Sequence, residues 1–176
     1  MENLSEEHSL VAILENPNYI INIGTTIRII NALGVDALLV VDGQKRLEDN
    51  LDAIRRRKSI LKHSNGAIKH TKVKVFQTTE DCLAFLQKNG FTSVGTSPHH
   101  ICKKQLKLNE SKLTFPKLAI WFGDESKGLS ATAIKHCDYC LTIPMKGKVE
   151  SLNLSSSTAI VLYEAIRQRE IAVKKI

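Results

Sequence analysis

The chain has 176 residues, with 25 Lys and Arg against 18 Asp and Glu, for a formal charge of +7. A hydrophobic share of 43% and a charged share of 24% exclude a disordered, collagen-like or disulfide-scaffold chain. Apolar runs such as Ala37–Val41 stop at five residues, far short of the roughly 20 a spanning helix needs. The polar start MENLSEEHSL lacks a signal-peptide pattern, so a cytoplasmic protein without a membrane partner is expected.

In chain order, Leu10–Leu14 reads as a buried strand broken by Asn16-Pro17-Asn18. Asn22–Leu33 reads as a helix, with Ile23, Ile27, Ile30 and Leu33 at helical spacing and Gly34 in the terminating position. Ala37–Val41 is a strand, and Leu47 to about Lys58 a basic helix. Val73–Phe76 is a strand, Thr79–Lys88 a helix and Phe91–Gly95 a strand. Lys117–Phe122 is a strand, followed by a loop over Gly123–Gly128 and a helix capped by Ser130 that runs to about His136. Tyr139–Ile143 is the last strand and Asn153–Arg169 a long closing helix.

The strands are short, apolar and non-alternating, as strands buried on both faces are. An α/β fold follows, a mostly parallel sheet with helices on both faces, unknotted if judged by frequency alone. A single domain, 1–176, with no further domain, is expected. Of the four cysteines, Cys137 and Cys140 form a CxxC that runs into a strand; Cys82 and Cys102 are isolated. Half-buried free thiols are expected, and no metal site.

The pI of about 9.3 points to a polyanionic partner. Arg55, Arg56, Arg57, Lys58, Lys62, Lys69, Lys72 and Lys74 crowd one stretch, and Lys103, Lys104, Lys107, Lys146 and Lys148 form smaller groups. They read either as a solvated face or as a phosphate-gripping surface. With only 5% aromatic residues, base-stacking platforms are not expected.

Ligands of parallel sheets bind beyond the carboxyl ends of the strands, which here lead into GTSP, GDESKGL and PMKGKVESLN. No GxGxxG follows the first strand, and no GxxxxGK[ST] is present, which argues against dinucleotide enzymes and P-loop NTPases. In NIGTTIR, Gly24, Arg28 and Asn31 share one helix face, so Arg28 projects beside a glycine that something approaches closely, or is simply a surface arginine. Asp124 and Glu125 are adjacent and point apart, so a carboxylate dyad is not expected. Ser151 reads as an N-cap, or as part of a helix start that holds an anion.

In order and spacing, NIGTTIR, GDESKGL and IPMKGKVESLNLS, with the closing LYEAIRQR, resemble the SpoU branch of the SPOUT RNA methyltransferases over about Leu10 to Arg169. The resemblance implies a C-terminal trefoil knot, S-adenosylmethionine (SAM) as cofactor, a homodimer with composite active sites, and methylation of a ribose 2′-hydroxyl in tRNA or rRNA. By position it implies Arg28 as the catalytic arginine, with Asn22, Glu125, Ser151 and Asn153 as the other motif residues. Thr96, Gly123, Ile143, Met145 and Leu152 fall where the family binds the cofactor. The proton of the ribose hydroxyl is either shared between the substrate phosphate and Arg28, or leaves while Arg28 orients the phosphate and stabilises the alkoxide. Arg55, Arg56, Arg57, Lys58, Lys62, Lys146 and Lys148 are expected to bind RNA.

The compact form is most similar to the tRNA enzyme that methylates guanosine 18, which favours tRNA over rRNA. It departs from that group in its NPNYII lead-in, and in Gly66-Ala67-Ile68-Lys69-His70 where G-S-H-K-W is usual. A non-catalytic RNA-binding module of the same fold and a metabolite-binding α/β enzyme are the competing readings. The dimer is expected through the last helix, with Ile160, Leu162, Tyr163 and Ile166 in part against the partner.

Overall fold

The computed structural model describes residues 8–48, 50–99 and 102–174. Its elements are β1 (Ser9–Glu15), α1 (Ile20–Leu33), β2 (Ala37–Val41), α2 (Leu51–Arg56), α3 (Lys58–His63), β3 (Val73–Phe76), α4 (Thr79–Lys88), β4 (Thr92–Thr96), β5 (Gln105–Lys107), β6 (Lys117–Phe122), α5 (Ala131–His136), β7 (Tyr139–Thr142) and α6 (Leu154–Val173). Seven strands form one sheet in the order β3-β2-β1-β6-β4-β7-β5. Every pairing is parallel.

The side-chain alternation of β1 separates the two cores. Leu10, Ala12 and Leu14 face α1, α3 and α6 through Ile23, Ile27, Ile60, Val161 and Leu162. Val11 and Ile13 face α4 and α5 through Cys82, Leu86 and Ala133. Both faces are thus covered, as the apolar, non-alternating strands require.

The expected single helix Leu47–Lys58 is two short helices. The Asp42 carboxylate draws in the backbone N–H of Arg46 at 2.9 Å and of Leu47 at 2.7 Å, which folds the chain back before any helix starts. Asn50 then caps α2, its side chain accepting from Ala53 N at 2.8 Å. Arg57 adopts an extended conformation between α2 and α3. Ile54 and Ile60 are both buried. Six residues of continuous helix would turn them about 120° apart, so the break lets both reach the core.

Strand β5 has only three residues and no apolar pattern; it exists as an edge strand on β7, with Gln105 opposite Cys140. α6 is longer than expected, and its N-cap is Asn153, whose side chain accepts from Ser155 N at 2.9 Å. The N-cap reading of Ser151 is therefore corrected: it lies exposed in the preceding loop. The thiol reading is corrected in part. Cys102 and Cys140 form a disulfide, Cα to Cα 5.8 Å, brought together where β5 joins β7. Cys82 and Cys137 are free, and burial pushes both thiols up to about 12. Among the described residues, no group of three or more His, Cys, Asp or Glu is arranged to hold a metal ion, and no helix is long and apolar enough to cross a membrane.

Candidate active site

Strands β6, β4 and β7 are neighbours, so the loops after Thr96, Phe122 and Thr142 emerge side by side. They enclose a cavity of about 380 Å³ together with the loop that leads into α6. Thr96, Gly123, Ile143, Met145 and Leu152 all line it, as do Glu125 and Ser151. The Thr96 hydroxyl is already committed, donating to Trp121 O at 2.9 Å.

The loop over residues 123–128 is closed on itself. Asp124 N donates to Gly128 O at 3.1 Å, and Gly128 N to Asp124 O at 2.9 Å. Gly128 sits at φ +71°, and a Cβ on Gly123 would fall 2.1 Å from Gly128 C. Both glycines thus serve the loop's own closure, not the approach of a ligand alone. Burial acts to raise the Asp124 pKa, but hydrogen bonds from the Ser126 hydroxyl and from the N–H groups of Lys127 and Ser126 outweigh it, and hold the carboxyl below its ordinary value.

Glu125 is held by the asparagines of the first loop and of α1. Its Oε2 accepts from Asn18 N at 2.8 Å, and its Oε1 from Asn22 Nδ2. An ionised carboxylate only accepts, so the Asn22 amide must present its NH₂ group there. Asn22 Oδ1 then faces α6 and accepts from Asn153 Nδ2 at 3.1 Å. Asn153 Oδ1 in turn accepts from Ser155 N and Oγ. One carboxylate thus fixes the polarity of a chain of side chains running from the 125 loop through α1 to the start of α6.

Arg28 stands apart from this chain. It is exposed on α1, six residues beyond Asn22 or about 9 Å along the helix, and does not line the cavity. The expected face of Gly24, Arg28 and Asn31 splits: Gly24 is buried, and the other two are exposed. What approaches Gly24 is α3; a Cβ there would fall 2.8 Å from His63 Cβ.

Of the basic residues singled out, Arg56, Lys58, Lys62, Lys146 and Lys148 are exposed. Arg55 pairs with Asp52 at 3.6 Å. Arg57 is half-buried and tied to its own chain, donating to Arg46 O at 2.7 Å and pairing with Glu48 at 3.3 Å. A second concavity, a groove of about 1200 Å³ between α1 and α6, is lined by Ile29, Leu33, Leu108, Pro144, Ile160 and Tyr163 among others. Ile160 and Tyr163 are exposed, whereas Leu162 is in the chain's own core and Ile166 packs against it.

Two residues outside the motifs also serve the site. Asn18 holds Glu125 through its backbone, and Arg46 holds Asn18. The available signal was position: Asn18 follows the break after β1, at the same sheet edge as the motif loops.

The late loops of this parallel α/β domain enclose one cavity, which Glu125 ties to the first turn of α1, so the candidate site lies at the carboxyl edge of the sheet. The chain matches the SpoU rRNA Methylase family over residues 9–163, and it belongs to that family. It is 34% identical over 148 residues, 84% of this chain and 35% of the relative, to an uncharacterized tRNA/rRNA methyltransferase of Synechocystis. The chain thus spans about a third of that relative's length. The SpoU methyltransferase AviRb of Streptomyces viridochromogenes, solved in complex with SAM, superposes with a TM-score of 0.79 at 26% identity, over 97% of this chain and 63% of that one. A structure described as giving insight into 2-OH methylation of C/U34 on tRNA superposes with a TM-score of 0.75 at 25% identity, over 92% of this chain and 96% of that one.

Proposed function

We propose that the chain is a SAM-dependent methyltransferase acting on a ribose 2′-hydroxyl of RNA, with tRNA favoured as substrate and rRNA as the alternative. The observation that carries this reading is the convergence of GDESKGL and IPMKGKVESLN on one cavity, with the start of α1 tied to it by the Glu125–Asn22–Asn153 chain. The tRNA preference rests on the likeness, over 96% of its length, to the neighbour whose description concerns 2-OH methylation on tRNA.

The cavity fits the cofactor. Its volume lies within the roughly 300–1,000 Å³ of small-molecule sites. Phe122, Leu129, Leu141, Ile143, Met145 and Leu152 offer apolar wall for an adenine, while Asp124, Glu125 and Glu150 place acidic groups beside a cationic sulfonium and ammonium. Thr96, Gly123, Ile143, Met145 and Leu152 would hold it. Bound there, SAM supplies an electrophilic methyl group. The protein's part is largely positioning, because in-line approach of the hydroxyl governs such a transfer.

Arg28 is the catalytic residue of this reading. A guanidinium offers five donors and no acceptor, so it orients the substrate phosphate, whose oxygen takes the hydroxyl proton, and stabilises the alkoxide so formed. Since Arg28 does not line its own chain's cavity, the reading includes a homodimer. The groove between α1 and α6 seats the second copy, and Arg28 reaches the partner's cavity. The exposed Arg56, Lys58, Lys62, Lys146 and Lys148 grip RNA phosphates.

Calorimetry with SAM on ligand-free protein, followed by transfer of labelled methyl groups to a pool of unmodified tRNA and rRNA transcripts, tests this. A 2′-O-methyl group removes the hydroxyl that drives alkaline cleavage, so the label is expected in alkali-resistant dinucleotides from tRNA. Label confined to rRNA overturns the substrate preference. SAM binding without transfer to either pool favours the non-catalytic module.

A further inference from the structure

Arg46 lies between β2 and α2, and its donors are nearly all spent. Its backbone is fixed by the buried Asp42. Its Nη1 donates to Asn18 O at 2.7 Å and its Nη2 to Asn18 Oδ1 at 3.2 Å. Gln44 Oε1 accepts from Nε at 2.9 Å and also from Nη2. The fork therefore grips both the main chain and the side chain of Asn18. On its other side, Asn18 turns to the 125 loop, with N to Glu125 Oε2 at 2.8 Å and Nδ2 to Ser126 Oγ at 3.4 Å.

We propose that Arg46 is a positioning residue for methyl transfer. By fixing Asn18 it sets the Glu125 carboxylate, and through it the orientation of Asn22 and Asn153. This rests on the reading of the 125 loop as part of the methyl-transfer site. Arg46 does not line the cavity, and with its guanidinium engaged by Asn18 and Gln44 it has little left for an RNA phosphate. It therefore acts on the rate of the bound complex, not on RNA affinity. A lysine at this position keeps the charge but cannot make the two-point grip.

The test compares Arg46→Lys, Arg46→Gln, Glu125→Gln and the double variant Arg46→Lys/Glu125→Gln, with SAM and the best-methylated transcript of the unmodified pool. Arg46→Lys is expected to lower kcat by about 10–100-fold, the size of effect that small misplacements produce. The KM for RNA and the salt slope of RNA binding stay at wild-type values. The side-chain amide NMR signal of Asn22 moves in Arg46→Lys as it does in Glu125→Gln. The double variant is no slower than the slower single one, because both changes break the same chain. Should Arg46→Gln fail to fold, Arg46→Lys carries the comparison. A wild-type kcat in Arg46→Lys with a salt slope shallower by about one phosphate makes Arg46 an RNA contact and overturns the proposal. Fully additive losses in the double variant overturn it as well. Glu125→Gln with wild-type kcat removes the reading of the 125 loop and this proposal with it. A slow Glu125→Gln beside an unimpaired Arg46→Lys overturns the role of Arg46 alone.

Discussion

Asn153 Nδ2 donates to Asn22 Oδ1 at 3.1 Å across 131 residues of chain, which ties the N-cap of α6 to the first turn of α1. The same amide caps its own helix through Oδ1. Two substitutions separate these duties. Asn153→Ala removes both, and the lost cap alone costs about 1 kcal/mol. Asn153→Asp keeps a good cap but presents Asn22 Oδ1 with an acceptor in place of a donor. Methyl transfer is expected to fall in both variants, whereas the melting temperature falls clearly only in Asn153→Ala. Thermal melts beside methyl-transfer rates check this.

Arg28→Ala should leave SAM binding unchanged by calorimetry and lower methyl transfer by about 10²-fold or more, the scale of losing a transition-state donor. If the site is composite, mixing Arg28→Ala with Asn153→Ala protein restores activity, since each mixed dimer holds one intact pair of contributions. Loss of SAM binding in Arg28→Ala, or no restoration on mixing, counts against the arrangement.

The basic surface divides into groups with different work. Arg56, Lys58 and Lys62 are exposed, and their joint replacement by Ala should flatten the salt dependence of RNA binding by about 0.7–0.9 per lost phosphate contact. The melting temperature and SAM affinity should not change. Arg57→Ala should do the reverse, because its partners are Arg46 O and Glu48. It should lower stability while the salt slope stays near that of wild type.

Asp124 provides a pH test with a defined sign. Its folded pKa is depressed, so its ionised form stabilises the fold above the ordinary carboxyl value of 3.8, and that contribution is lost as pH falls through the lower folded value. Asp124→Asn is expected to cost about 1–2 kcal/mol at pH 7, or about 2–8 °C in melting temperature. The gap between variant and wild type should narrow as the pH is brought below the usual carboxyl range. A gap independent of pH would mean that shape, not charge, holds the loop.

Much of the fold was legible because buried parallel strands leave continuous apolar runs, and the loops at their carboxyl ends can then be found by topology alone. That reasoning singled out the GTSP, GDESKGL and PMKGKVESLN loops, which do enclose one cavity; Thr96, Gly123, Ile143, Met145 and Leu152 within it were indicated only by the family resemblance. Leu47–Lys58 misled because Leu47 is apolar and buried for a reason other than helix formation, namely the pull of Asp42 on its N–H. Strand β5 was invisible because three residues at a sheet edge carry no period. Gly24 is approached closely, as its place in a helix implies, and the neighbour is His63 of α3. Spacing reveals that a helix glycine is approached, not by what. Asn18 and Arg46 lie in loops, where one polar residue looks like another until its partners are known.

The place of β6 in the sheet has a consequence for synthesis. β4 pairs only with β6 and β7, both of which are made after it. While the chain is still emerging from a ribosome, β1, β2 and β3 can assemble, but one edge of β1 stays open and β4 has nowhere to dock until Lys117–Phe122 arrives. The late strand must then enter between two that are already present. A nascent chain stalled before Lys117 would expose one edge of β1 and both edges of β4 to other chains, so the interval just before β6 is released is when the nascent chain is most open to aggregation.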